Sequence, residues 1–132
     1  MAKDVPRRRT RLVLHQFLDR FFAIVIGAYY PDRPWMDGVA ITHLASKIVL
    51  AQILGHPHSV NGLAKMLRMP RSTLRDWLRE LERAGLIERE DEHLLYSGER
   101  LGSPEATRVL DELCDLIIEA ADQLKWGGVV DE

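Results

Sequence analysis

A mostly α-helical chain with one small β-hairpin is predicted by three observations. Apolar residues recur at spacings of three and four through long stretches of the 132 residues, the period of a helix with one buried face. Residues 59–84 read as two helices joined by a tight turn, and two short runs around a polar loop follow at once. Each end of the chain carries a long apolar-striped segment. The class is α+β, and the order of elements is that of a winged helix-turn-helix, with a short hairpin wing and long N- and C-terminal helices.

Residues 1–11 form a basic arm, with Lys3, Arg7, Arg8, Arg9 and Arg11 against one Asp4. A helical pattern follows to about Tyr30, where Leu14, Phe17, Leu18, Phe21, Phe22 and Val25 share a face. Pro31 and Pro34 end it, because proline lacks the amide hydrogen that a helix needs. The second helix is predicted from about Gly38 to Leu54, with Leu44, Ile48, Leu50 and Ile53 inside and Gly55–His58 as its stop. Trp35 and Met36, just before it, read first as core residues and second as the lining of a ligand pocket.

The next stretch carries the function. A short helix from Ser59 to about Leu67 and a turn at Arg68–Pro70 lead into a longer helix ending at Ala84. At about 100° per residue, Leu74, Trp77, Leu78 and Leu81 fall on one face and Ser72, Arg75, Asp76, Arg79 and Arg83 roughly opposite. A helix with a packed back and a basic front fits a major groove and presents side chains to base edges. Ser72 or Thr73, at its start, can hold a phosphate beside the free helical amides. Gly85 suits a left-handed residue just past the end, with Leu86 folding back onto Leu81. Ile87–Glu90 and Leu94–Ser97 then read as strands around the loop 91–93. This hairpin is acidic: Glu88, Glu90, Asp91 and Glu92 surround Arg89, and such charges repel phosphate.

Ser103-Pro104-Glu105 opens the last helix: a capping hydroxyl, a proline at the first position, and a carboxylate at the positive end of the dipole. Leu110, Leu113, Cys114, Ile117, Ile118, Ala121 and Leu124 make its stripe, and Gly127-Gly128 ends it after about 22 residues, roughly 33 Å. Asp111, Glu112, Asp115, Glu119 and Asp122 are its solvated side. Cys114 lies on the stripe, which predicts a buried and inert thiol.

From about Ile41 to Ser97 the order of elements resembles the MarR family of winged-helix regulators. The segment LAKMLRMPRSTLRDWLRELERAGLIER carries that likeness, and RMPRSTLRDWL is also similar to the IclR type of helix-turn-helix. The resemblance implies a homodimer, held by the first and last helices, that sets two recognition helices in successive major grooves and usually represses transcription. It implies DNA contacts from Arg71, Ser72, Thr73, Arg75, Asp76 and Arg79, and dimer contacts from Leu14, Phe17, Phe21, Leu110, Leu113, Ile117 and Leu124. A small-molecule effector is a further partner that it implies. The sequence departs from the family at Arg68, where a glycine is usual, and at the wing tip, where no arginine stands. Arg7, Arg8 and Arg9 read equally as a substitute minor-groove contact or as a solvated tail.

The expected organisation is a flexible basic arm (1–11), an N-terminal dimerisation helix (12–37), the DNA-binding domain (38–102) and a C-terminal dimerisation helix with its tail (103–132). A net charge of −2 means that affinity for a polyanion must come from a local basic face. One cysteine excludes an internal disulfide, and the apolar run at 21–30 is too short to span a bilayer, so a cytoplasmic protein with no membrane partner is expected. His15, His43, His56, His58 and His93 show no metal-ligand spacing, and neither a glycine-rich phosphate loop nor a nucleophile elbow occurs. No metal, no cofactor and no catalysis are therefore expected. The reading from another class is a winged helix that docks a protein instead of DNA. Such a surface needs exposed aliphatic or aromatic anchors on the arginine face, and the pattern places none there.

Overall fold

The computed structural model describes residues 4–127; Lys3 of the basic arm, and Gly128 with the tail to residue 132, lie outside them. In chain order the elements are α1 (Arg8–Tyr29), α2 (Trp35–Ile53), α3 (Val60–Leu67), α4 (Arg71–Arg83), β1 (Ile87–Glu90), β2 (His93–Tyr96), α5 (Gly98–Leu101) and α6 (Pro104–Gly127). An antiparallel hairpin directly after a helix-turn-helix makes this a winged helix-turn-helix. The described residues form two compact units, one from residues 34–106 and one from the two ends of the chain.

In the 34–106 unit, Pro34 stands just before α2, where its missing amide hydrogen is no loss, and Asp37 complements the positive end of the helix. Ile41, Leu44, Ile48 and Ala51 form the inner face of α2. Leu50 and Ile53, expected beside them, are exposed. They lie about 160° and 140° around the helix from Ile48, so no single packing face can take all three. Trp35 and Met36 are also exposed, which corrects their assignment to the core. Leu63 of α3, Leu74, Leu78 and Leu81 of α4, and Ile87 and Leu94 of the hairpin complete the interior, while Trp77 is half-buried.

Three successive helices in this unit end in one way. After α2, the amides of Gly55 and His56 donate to the carbonyls of Gln52 (3.1 Å) and Ala51 (2.9 Å). After α3, Arg68 and Met69 donate to Lys65 (3.3 Å) and Ala64 (3.2 Å). After α4, Gly85 and Leu86 donate to Glu82 (3.0 Å) and Leu81 (2.9 Å), as the sequence predicts. Each is a Schellman motif, closed by one residue in the left-handed region: Gly55 at φ 79°, Arg68 at 54° and Gly85 at 74°.

The hairpin pairs Ile87 with Tyr96 through to Glu90 with His93, so its loop is the two residues Asp91 and Glu92, with Asp91 at φ 57°. Strand β2 thus begins one residue before the predicted Leu94. The short α5 was not anticipated: Ser97 caps it by accepting from the Arg100 amide at 3.3 Å. Ser103 caps α6 as expected, accepting from the Ala106 amide at 3.1 Å.

In the unit made by the chain ends, α1 and α6 are adjacent, and Arg20 donates to the Glu119 carboxylate at 3.2 Å. The buried residues of these helices include Val13, Val25, Ile26, Val109 and Leu116. The rows chosen from the sequence sit to one side of these. Leu14, Leu18, Leu110, Ile117 and Ile118 are exposed, and Phe17, Phe21, Leu113 and Leu124 are half-buried. Cys114 is exposed, not buried. A contact between two helices covers one seam, and Leu110 and Ile117 lie about 100° around α6 from Val109 and Leu116. Helix α1 begins at Arg8, so Arg8, Arg9 and Arg11 stand in its first turn and not in an extended arm before it. At 22 residues α1 is long and apolar enough to cross a membrane, a length that the run at 21–30 alone does not show. Its midpoint, however, carries the Arg20–Glu119 ion pair, and charges are costly inside a bilayer.

The hydroxyl of Thr42 on α2 is buried without a hydrogen-bond partner. Replacing it with an isosteric methyl removes an unmet polar group. Thr42→Val should therefore raise unfolding stability by about 1–2 kcal/mol, read as a higher urea midpoint with an unchanged slope.

Candidate nucleic-acid interface

Helix α4 owes its orientation to its apolar row. With Leu74, Leu78 and Leu81 locked inside, Ser72, Arg75, Asp76, Arg79 and Arg83 are turned outward, and all five are exposed. Pro70 precedes the helix and no side chain caps its start, so its first amides have no side-chain acceptor there. Ser72 and Thr73 stand exposed in that first turn, where free amides and the positive end of the helix dipole favour an anion. The six residues assigned to DNA in this segment are brought together on one short helix. Arg7, Arg8 and Arg9 belong to the start of α1, in the unit of the chain ends, where no acidic residue offsets them in the first turn.

The arginines of the helix-turn-helix differ in how they are held. Arg71 lies on the flank of α4 and donates to Oδ1 of Asn61, in the first turn of α3, at 3.0 Å. This bond ties the two helix starts together, and Asn61 escaped the sequence reading because its partner lies on another helix. Arg79 donates to Oδ1 of Asp76 at 3.3 Å, an exposed pair three residues apart that orients the guanidinium more than it stabilises the fold. Arg75 and Arg83 have no hydrogen-bond or ion-pair partner among the described residues.

The hairpin is fastened to the rest of the unit by bonds that no periodicity announces. The Tyr96 amide donates to Oε1 of Gln52 on α2 at 2.8 Å, and the Leu94 amide donates to the His58 carbonyl at 2.8 Å. Arg89 donates through Nε to Oε1 of Glu82 on α4 at 2.8 Å. The only arginine of the hairpin is therefore drawn back to α4, and the turn keeps the carboxylates of Asp91 and Glu92 exposed. Past the hairpin, Arg100 donates to the Ala84 carbonyl at 3.1 Å and so meets one of the open acceptors at the end of α4.

This geometry gives an outward basic helix on a rigid apolar back, braced at both ends. Residues 47–89 match the family model of the bacterial regulatory protein, arsR family. The chain carries a helix-turn-helix regulator domain. The match runs from within α2, through α3 and α4, into β1, and it supports DNA-binding transcription regulation. It covers about a third of the chain and leaves both terminal helices outside. It is to the arsR description, not to the MarR or IclR types that the same segment resembles. No curated protein and no solved structure gives a match.

Because Gln52 meets an amide that is half-buried, its loss cannot be made good fully by water. Gln52→Leu should lower stability by about 1–3 kcal/mol in urea unfolding and speed hydrogen exchange at the Tyr96 amide ahead of the α4 amides.

Proposed function

We propose that this protein is a homodimeric, sequence-specific regulator of transcription, most simply a cytoplasmic repressor, that lays α4 in the major groove of double-stranded DNA. The observation that carries the reading is the outward face of α4. Arg75, Arg79 and Arg83 stand there with Asp76, while the apolar row that could serve a protein partner is buried behind. Arginine matches guanine O6 and N7 in a bidentate manner, and an aspartate accepts from cytosine N4. Arg75, free of internal partners, is the principal base reader. Arg71, Ser72 and Thr73 serve phosphates, and Asp76 and Arg79 act as a pair. The hairpin contributes little, because its tip is acidic and Arg89 is engaged by Glu82.

Dimerisation through the terminal helices is supported by what they leave exposed. Leu110 is 61% and Ile117 52% exposed on α6, and Leu14 is 46% exposed on α1. With Cys114 and Ala121, Leu110 and Ile117 make a row at spacings of four, three and four, which is the seam that a second helix covers. A monomer with this row in water exposes a contiguous apolar patch. Leu113 flanks this row and Leu124 continues it on α6, while Phe17 and Phe21 are half-buried on α1. The MarR-like arrangement inferred from sequence belongs to this proposal.

Arg75→Ala should weaken operator binding by about 1–3 kcal/mol in gel-shift titration and relax preference at one base position in a selection from random duplexes. Binding of no duplex by the wild type at low salt would refute the function itself. Ile117→Asp should give a monomer in sedimentation analysis, with stability of the 34–106 unit retained and affinity for a two-half-site duplex sharply reduced.

A further inference from the structure

The ends of α2, α3 and α4 provide an internal comparison. All three close with the same pair of backbone bonds, and all three need one left-handed residue. Glycine fills that position after α2 and after α4, where its missing Cβ avoids the clash with the carbonyl oxygen. After α3 the chain places Arg68 at φ 54° and ψ 43°. This is an unfavourable choice for the backbone, and it occurs at the one end of the three that leads into the recognition helix. Its side chain is exposed, and among the described residues none bonds to or pairs with its guanidinium. The fold therefore gains nothing visible from the arginine there. Arg71, three residues on at the start of α4, is by contrast bonded to Asn61.

We infer that Arg68 is a further DNA contact, its guanidinium pairing with a backbone phosphate beside the start of α4. The inference rests on the reading that α4 enters the groove. A left-handed residue without glycine is uncommon in itself and persists where the surroundings or a function require it. Here the turn sets Arg68 three residues ahead of Arg71 and the uncapped start of α4, so that arginine and helical amides can address the same strand. The contact carries no base information. It adds affinity uniformly and makes it salt-dependent.

The test uses the full chain and a fluorescein-labelled mixed-sequence duplex, titrated over a salt series, with three variants. Arg68→Gly removes both the charge and the backbone strain, Arg68→Gln removes the charge alone, and Arg68→Lys keeps the charge. For each Arg68 engaged, Gly and Gln should flatten the log–log salt slope by about 0.9 and weaken binding about fivefold at physiological salt. Lys should keep the wild-type slope. Arg68→Gly should also melt a few degrees higher than wild type. An unchanged slope in both Gly and Gln, while wild type binds, would overturn the assignment alone. Absence of any wild-type binding would overturn the proposed function, and this assignment with it.

Discussion

Burial of Leu74, Leu78 and Leu81 is the constraint on which the candidate DNA-binding surface depends. These three residues, with Leu63 and Leu94, are among the most enclosed in the chain, and the side of α4 that they occupy determines which side faces out. No charge on the opposite face needs to be specified separately: a helix pinned by one row presents the other. The remaining bonds refine this placement. Arg71 to Asn61 sets the start of α4 against α3, the Schellman closure at Gly85 turns the chain into the hairpin, and Arg100 meets the last carbonyl.

Most of this was legible in the sequence, because the signals were local. The turn at Arg68–Pro70, the stop at Gly85 with Leu86, and the Ser103 cap each depend on residues within six positions of one another, and each is found where it was expected. The hairpin was displaced by a single residue in β2. Helical periodicity also separated the two faces of α4 correctly, since that helix has one strong apolar row and few ambiguous positions.

What could not be read had a non-local cause. Leu50, Ile53, Leu110, Cys114 and Ile117 are apolar or small and lie on apolar-looking stripes, yet all are exposed. Periodicity shows that a stripe exists, but only the neighbouring element decides which edge of it is covered. Where a helix is apolar over a wide arc, as α6 is, the centre of the stripe and the buried seam can differ by one position. The side-chain bonds of Gln52, Asn61 and Arg89 reach between elements that sequence spacing does not relate. The arginines on α4 were nameable in advance; which of them are already engaged was not.

The fastening of the hairpin has a consequence for how copies of this chain can meet. A two-stranded ribbon leaves two open edges, and open edges recruit other strands. In β2 the amides of Leu94 and Tyr96 are both taken up, by His58 and Gln52, so that edge has these donors withdrawn. The other edge belongs to β1, whose sequence Ile-Glu-Arg-Glu lines it with charge, a feature that discourages strand addition. Strand addition is thereby discouraged at both edges of the small sheet, so that any self-association falls to helix faces, where it can stop at a defined number of copies.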